Sequence, residues 1–144
     1  MSQQNKPKSP PIPNNNEFMN NFIVKRQFPI YKFDNLKQVF DNEFMTVKKI
    51  PMFVNGVVVW TYYHIEIKPG KTTIRYNVDV DCRITILEGS AWFMLEYKKE
   101  PGSMMVEPGD MFIIPNGSEY MVLNQSQHQK MVYTIDANTL LEME

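Results

Sequence analysis

The sequence predicts an all-β domain, either a sandwich or a barrel. Residues 57–68 alternate with a period of two, which is typical of a β-strand. Further short runs rich in β-branched and aromatic residues follow at 83–87, 91–97, 104–106, 111–114, 120–123 and 131–135. Turn signals containing Gly or Pro separate these runs, at Pro69-Gly70, Glu88-Gly89-Ser90, Pro101-Gly102-Ser103, Pro108-Gly109-Asp110 and Pro115-Asn116-Gly117. Many short strands joined by such turns favour a closed or double-sheet architecture.

Residues 1–17 are expected to form a disordered tail. Four prolines fall between positions 7 and 13, and three asparagines follow at 14–16. Proline removes backbone hydrogen-bond donors, and asparagine contributes no apolar surface to a core. At the other end of the chain, residues 138–144 are expected to form a C-terminal tail that is either a short helix or frayed.

Residues 18–54 are expected to form an N-terminal extension that packs on the barrel or on a second copy of the chain, because the stretch is too apolar to be a linker. Within it, Asp34 is a candidate helix N-cap. The apolar residues near one face of such a helix are Leu36, Val39, Phe40 and Phe44. The sequence therefore predicts a short helix after Asp34.

Residues 55–137, which follow this extension, are expected to form the barrel itself.

The composition excludes several classes of protein. The chain of 144 residues has 15 Lys or Arg and 16 Asp or Glu, so its net charge of −1 supplies no basic field for nucleic acid. One cysteine cannot form an intramolecular disulfide or a multi-cysteine zinc site. No apolar run reaches the ~20 residues of a membrane span, and the polar N-terminus is unlike a secretory signal. We expect a soluble intracellular domain with no membrane partner and no direct contact with nucleic acid.

A fixed spacing of turn and strand residues occupies positions 109–124. Gly109 is followed at intervals of six, two, three and four residues by Pro115, Gly117, Tyr120 and Asn124. Gly and Pro at these places turn the chain into and out of a strand, and an Asn side chain can cap a turn. The pattern resembles the second motif of the cupin superfamily, G-x5-P-x-G-x2-H-x3-N, with a tyrosine at the histidine position.

The first cupin motif, G-x5-H-x-H-x3-E-x6-G, matches the spacing of the preceding stretch. Gly70 and Gly89 occupy its two ends. Its three ligand positions fall on Tyr76, Val78 and Cys82. The two motifs fit without a gap and together cover residues 70–124. The resemblance implies that the predicted β domain is a cupin-like jelly-roll β-barrel.

The residues that would hold a metal in a cupin are replaced in this sequence. A metal-binding cupin uses three histidines and a carboxylate, and this chain has in those places Tyr76, Val78, Cys82 and Tyr120. Divalent transition metals need several converging imidazole or carboxylate ligands. The only histidines, His64 and His128, lie outside both motifs. We therefore expect no metal, no cofactor and no catalysis, and the pattern argues against a metal enzyme with unusual ligands.

The second motif also resembles one branch of the superfamily, the C-terminal cupin domain of the centromere protein C family. That family's motif reads roughly P-x-G-N-x-Y-x-I-x-N, and the residues in register with it are Pro115, Gly117, Tyr120 and Asn124. Ser118 replaces the family's first asparagine, and residues 109–115 resemble its G-x-M-F-x-V-P run. The resemblance implies a cupin that does no chemistry and forms a homodimer, which pairs two copies of a kinetochore scaffold on centromeric chromatin. The family's nucleosome-binding motif, an arginine followed by paired aromatics, is absent from the N-terminal tail.

Apolar residues on a second strand face predict a surface for self-association. The candidate interface residues are Val58, Trp60 and Tyr62 on one strand and Trp92 and Met94 on another. A sheet needs only one face for its own core, so a further apolar face is typical of a partner surface. Trp and Tyr are enriched at interface hot spots, and a two-fold homodimer is the commonest oligomer that covers such a face.

Two functional hypotheses follow from these observations. The first is a metal-free, non-catalytic homodimerisation module of a kinetochore or centromere scaffold, acting in the nucleus through protein contacts. Three forms of this hypothesis stay open: a lone dimerisation module, a fragment of a longer scaffold, or a diverged relative with another partner. The alternative location is the cytoplasm. The alternative is a metal-free cupin that binds a small ligand such as a sugar inside the barrel, lined by Tyr76, Cys82, Tyr120 and Arg75.

Overall fold

Ten β-strands form two antiparallel sheets in the computed structural model, which describes residues 30–138. The predictions for residues 1–17, for 18–29 and for 139–144 lie outside these residues. All ten strands belong to one compact unit of the chain, Tyr31–Glu144. Within the described part there is no helix long and apolar enough to cross a membrane. The prediction of an all-β fold is confirmed.

The strands divide into a larger and a smaller sheet. The six strands of the larger sheet are β1 (Lys37–Asp41), β2 (Met45–Val54), β3 (Val57–Ile67), β5 (Cys82–Glu88), β8 (Met111–Ile114) and β10 (Met131–Ala137). The four strands of the smaller sheet are β4 (Tyr76–Asn77), β6 (Ala91–Tyr97), β7 (Glu100–Val106) and β9 (Glu119–Leu123). Their orders are β1-β2-β3-β10-β5-β8 and β4-β9-β6-β7, so sequence neighbours are repeatedly separated, as in a jelly roll.

The core lies between the two sheets because one face of each strand is apolar. On β3 the alternate residues Thr61, Tyr63, Ile65 and Ile67 are buried, while the residues between them are half-buried. Strand β10, which pairs with β3 on one side and β5 on the other, is buried along almost its whole length. Apolar side chains from both sheets join in one buried cluster.

The predicted helix after Asp34 is wrong. In its place Phe33–Asn35 form a 3-10 turn, and β1 begins two residues later at Lys37. This strand pairs antiparallel with β2, placing Phe40 opposite Val47, and Phe40 packs against the core. Val39 and Phe40 favour strands over helices, and pairing with β2 satisfies backbone groups along this segment. Tertiary pairing therefore decided the element, which the local sequence left ambiguous.

Strands β2 and β3 form a long hairpin closed by Asn55-Gly56. Both turn residues have positive φ, 51° and 79°, as a type I′ turn requires. Strand β1 pairs with β2 only as far as Lys49, and β10 pairs with β3 only as far as Thr61. Within residues 30–138, the distal part of the hairpin, residues 50–54 and 57–60, is therefore a two-stranded ribbon, which we call the hairpin arm.

Candidate functional site

The four positions that carry metal ligands in a metal-binding cupin are all buried in the core of this chain. Tyr76 and Tyr120 pair between β4 and β9, and their ring centroids lie 5.5 Å apart. Cys82, at the start of β5, lies close enough to Tyr120 to affect its pKa. Val78 follows β4, and its backbone N–H donates to the Ser118 carbonyl oxygen at 2.8 Å. Two phenols, a thiol and an aliphatic side chain thus stand where imidazoles and a carboxylate bind metal in other cupins.

Two further aromatic residues, Phe93 and Tyr133, complete this buried group. The Phe93 ring stacks on Tyr120 with centroids 6.0 Å apart, and it meets Tyr133 edge-on at 5.4 Å. The hydroxyl oxygens of Tyr120 and Tyr133 are 3.5 Å apart. Sequence reasoning missed both residues as members of this group, although their inward phase on β6 and β10 is a usable signal. We call Tyr76, Phe93, Tyr120 and Tyr133 the aromatic cluster.

Burial keeps the titratable groups of the interior neutral. Desolvation raises the pKa of Tyr76 to about 12. Desolvation also raises the pKa of the Cys82 thiol to about 12, and two nearby aspartates act in the same direction. The pKa of Tyr120 is well above its usual value, chiefly through burial and then through Tyr133, and burial likewise raises the pKa of Tyr133. These four groups therefore supply no anionic ligand and no proton donor or acceptor that titrates near neutral pH.

Both histidines lie away from the aromatic cluster. His64 is half-buried on the outer face of β3, where desolvation lowers its pKa. His128 is exposed in the loop before β10, and its backbone N–H donates to Ser126 Oγ at 3.2 Å. Among residues 30–138, no three His, Cys, Asp or Glu side chains lie close enough together to hold a metal ion.

The turn residues of the two cupin motifs lie in the connections between strands. They are Gly70, Gly89, Gly109, Pro115 and Gly117. Gly89 is the most constrained: its φ is +71°, and an added Cβ would lie 2.7 Å from the Lys130 carbonyl oxygen. Asn124, which is buried, links the end of β9 to two other segments. Its Nδ2 donates to the carbonyl oxygens of Ile67 and Gln129, at 3.1 and 2.8 Å.

The candidate interface residues are divided between opposite sides of the molecule. Trp60 and Tyr62 lie on the outer face of the larger sheet, in alternation with buried residues. Trp92 and Met94 lie on the outer face of the smaller sheet, again alternating with buried residues. Val58 pairs with Phe53, beyond a β-bulge that breaks the alternation with Trp60. Because the two sheets pack face to face, a single two-fold contact cannot include both sets.

The outer face of the larger sheet carries a continuous apolar area. Met52 lies opposite Trp60, and Ile50 lies opposite Tyr62. Phe33, which is 66% exposed, meets the Tyr62 ring edge-on with centroids 5.8 Å apart. We call these five residues the large-sheet patch. Farther along the same face, ion pairs between Lys130 and Glu66 and between Arg83 and Asp136 make the surface polar.

Solved structures with the same fold include two long proteins and one isolated domain. A vicilin from Solanum melongena is 17% identical with a TM-score of 0.67, over 76% of this chain and 31% of that chain. The oxalate decarboxylase of Lactobacillus farciminis, in its formate complex, is 15% identical with a TM-score of 0.65, over 75% of this chain and 32% of that chain. The CENP-C cumin domain of Drosophila melanogaster is 13% identical with a TM-score of 0.61, over 74% of this chain and 75% of that chain. This chain thus spans about a third of the length of the first two.

No protein-family model and no curated protein matches the sequence. The three structures are cupins, which confirms the cupin resemblance as a likeness of fold. One of the three is an enzyme, so the fold by itself neither assigns nor excludes catalysis. The described residues of this chain adopt the cupin jelly-roll fold, and the CENP-C cumin domain is one of the structures that they resemble.

Proposed function

We propose that this chain is a metal-free, non-catalytic homodimerisation module of a kinetochore scaffold related to centromere protein C. The large-sheet patch is the observation that carries the proposal. It places five apolar or aromatic side chains on a face that the core does not use, with Trp60 still 37% exposed. The described residues share their fold with the CENP-C cumin domain, and the resemblance of the second motif to that family is what implies homodimerisation.

The hairpin arm supports the same proposal. No charged residue occurs from position 50 to position 60, and Val54 and Val57 are 54% and 63% exposed. A two-stranded ribbon with free edges is marginally stable alone, and its edges are templates for pairing with another chain. The arm is continuous with the large-sheet patch through Met52 and Trp60. A second copy seated on the patch would therefore also shield the arm.

The barrel interior supports a non-catalytic role. The rings of Phe93, Tyr120 and Tyr133 occupy the space that a bound ligand would need, and their edge-on and stacked contacts are those of a packed core. Neutral phenols and a neutral thiol supply neither a metal ligand nor a general acid or base near pH 7. This packing argues against the alternative of a sugar held inside the barrel.

The dimer is tested by measuring mass in solution. Sedimentation velocity at micromolar concentration should give twice the 17.0 kDa of the chain. Trp60→Glu places a charge in the proposed interface and should shift the species toward monomer. Met105→Glu is the matched control, because Met105 is 48% exposed on the smaller sheet and should leave the dimer intact. A monomeric wild-type chain would rule out the proposal.

The scaffold role is tested separately in cells. A fluorescent fusion of the chain should concentrate at centromeres in the nucleus and co-purify with kinetochore proteins, and Trp60→Glu should weaken both. A stable dimer that is spread evenly through the cell would contradict the kinetochore assignment while leaving dimerisation standing.

A further inference from the structure

The outer face of the smaller sheet is a second apolar surface, on the side of the molecule opposite the large-sheet patch. Cross-strand pairs place its side chains together: Trp92 lies opposite Leu123 and Met105, and Met94 lies opposite Met121. Met105 is 48% exposed and the others are half-buried. Three methionines make this face adaptable, since the thioether side chain repacks easily around different partners.

A groove of about 380 Å³ opens at one end of this face. Met94 and Met121 supply apolar lining, and Pro101, Gly102 and Ser103 border it on β7. Gly102 has no side chain, and the space beside its Cα is open, since an added Cβ would meet nothing within 4 Å. The volume falls in the range of about 300–1,000 Å³ that is usual for sites holding a small ligand or a few side chains.

Two glutamates on neighbouring strands, Glu96 and Glu119, line the groove. Glu96 on β6 lies directly opposite Glu119 on β9, an arrangement in which like charges repel. Arg75 Nη1 lies 3.7 Å from Glu119 Oε2 and so offsets one of the two charges. Among the described residues, no hydrogen bond or ion pair engages Glu96. The groove thus keeps one uncompensated negative charge beside an apolar surface.

We propose that this acidic groove docks a segment of a partner protein in which an Arg or Lys is flanked by apolar residues. The cation would lie between Glu96 and Glu119, relieving their repulsion, and the flanking side chains would cover Met94 and Met121. Charge complementarity selects a basic segment over an acidic one, and the apolar lining selects against a fully polar one. The groove is on the sheet opposite the large-sheet patch, so it is open in the monomer and in the proposed dimer alike.

The probe for this proposal is the peptide acetyl-Leu-Arg-Leu-amide, titrated into the full chain with ¹³C-methyl-labelled methionines. We expect saturable shifts of the Met94 and Met121 methyl signals, assigned through Met94→Leu and Met121→Leu, and no shift of Met111 on the larger sheet. Replacing Arg by citrulline keeps the shape and removes the charge, so the peptide should bind about two- to fivefold more weakly.

Glu96→Gln is the matched protein variant and should weaken the Arg peptide by a similar factor. Glu107→Gln, outside the groove on the loop after β7, should bind like the wild type. The proposal is overturned if Met94 and Met121 do not respond at millimolar peptide, or if the citrulline peptide or the Glu96→Gln variant binds as well as its parent. It is also overturned if raising the protein concentration alone shifts the same methyls, since a second copy would then occupy the groove. None of these outcomes depends on the oligomeric state at the large-sheet patch.

Discussion

Tyr120 stands at the centre of the aromatic cluster, and its surroundings determine its chemistry. It contacts the rings of Tyr76 and Phe93, and its hydroxyl faces that of Tyr133. A phenol in such a low-dielectric site keeps its proton far above neutral pH. A metal-binding cupin has one of its several histidine ligands at this position, whereas the tyrosine contributes a large packed ring and no charge. Together with Tyr76, Val78 and Cys82 at the other three positions, Tyr120 makes the centre of the barrel a packed core.

The buried acids of the interior predict a loss of stability at alkaline pH. Tyr76 and Cys82 have folded-state pKa values raised to about 12, above usual values of 10.0 and 9.0. Their neutral forms are favoured in the fold, so the contribution to stability is complete below pH 9 and is lost as the pH rises toward 12. We expect the free energy of unfolding, measured by urea titration, to be level from pH 7 to pH 9 and to fall above it. Tyr76→Phe should fall less steeply, and an equal slope would show that Tyr76 contributes nothing.

Gly89 predicts a large stability difference between two matched substitutions. Gly89→Ala combines a left-handed backbone with a Cβ lying 2.7 Å from the Lys130 carbonyl oxygen. Gly109→Ala has a similar backbone, with φ +95°, but its Cβ would meet nothing within 4 Å. We expect Gly109→Ala to cost about 1–2 kcal/mol for the left-handed conformation alone and Gly89→Ala to cost clearly more. Thermal unfolding of the two variants measures the difference, and equal melting temperatures would contradict the close approach.

At the scale of elements, most strands after position 57 follow from local pattern, whereas β1 and the start of β7 do not. The turn predicted at Pro101-Gly102-Ser103 is wrong: these residues lie within β7 because they pair with β6, and the chain turns at Lys98 and Lys99, which both have positive φ. Residues 57–68 alternate cleanly, and the structure has β3 there. Residues 37–41 lack a clean alternation, and their helix-compatible spacing was overridden by pairing with β2. The sequence pattern also does not predict the bulge between Trp60 and Val58, because the bulge depends on the register of β3 with β2.

The hairpin arm predicts backbone protection that depends on protein concentration. Among residues 30–138, no third strand pairs with residues 50–54 and 57–60, and on the outer sides of the arm only the Phe53 N–H has a partner, the Tyr31 hydroxyl at 2.8 Å. In the proposed dimer these edges are shielded. Hydrogen exchange followed by mass spectrometry should therefore show slower exchange in the arm as concentration rises, with residues 82–88 of β5 unchanged as the control. Exchange in the arm that is independent of concentration would place the dimer contact elsewhere.

At the scale of the whole molecule, the two sheets present chemically different outer faces. The large-sheet patch is apolar and without charge, whereas the acidic groove on the smaller sheet combines Met94 and Met121 with Glu96 and Glu119. A dimer built on the first face would expose two copies of the second. Such an arrangement would suit the proposed scaffold, because association and partner recognition would use separate surfaces.

Ionic strength should separate these two surfaces. An apolar interface is little affected by salt, so the dissociation constant of the dimer should change by less than about threefold between roughly 0.05 and 0.5 M NaCl. Binding of the Arg peptide at Glu96 should weaken over the same range, since it depends on exposed charges. Sedimentation and methyl titrations at each salt concentration measure both effects. A dimer that weakens steeply with salt would implicate the ion-paired region around Arg83 and Lys130 instead.

Local sequence pattern specifies the all-β class, the replacement of the metal ligands at Tyr76, Val78, Cys82 and Tyr120, and four of the five predicted turns, those at Pro69-Gly70, Glu88-Gly89-Ser90, Pro108-Gly109-Asp110 and Pro115-Asn116-Gly117. These are local properties: alternation, turn chemistry and residue type at a spacing. The contacts of Phe93 and Tyr133 with Tyr120 follow from the packing of the folded chain. The folded chain also places Trp60 and Trp92 on opposite outer faces, and it pairs Glu96 with Glu119 across two strands. Each depends on pairing between strands distant in sequence, whose register a one-dimensional pattern does not contain.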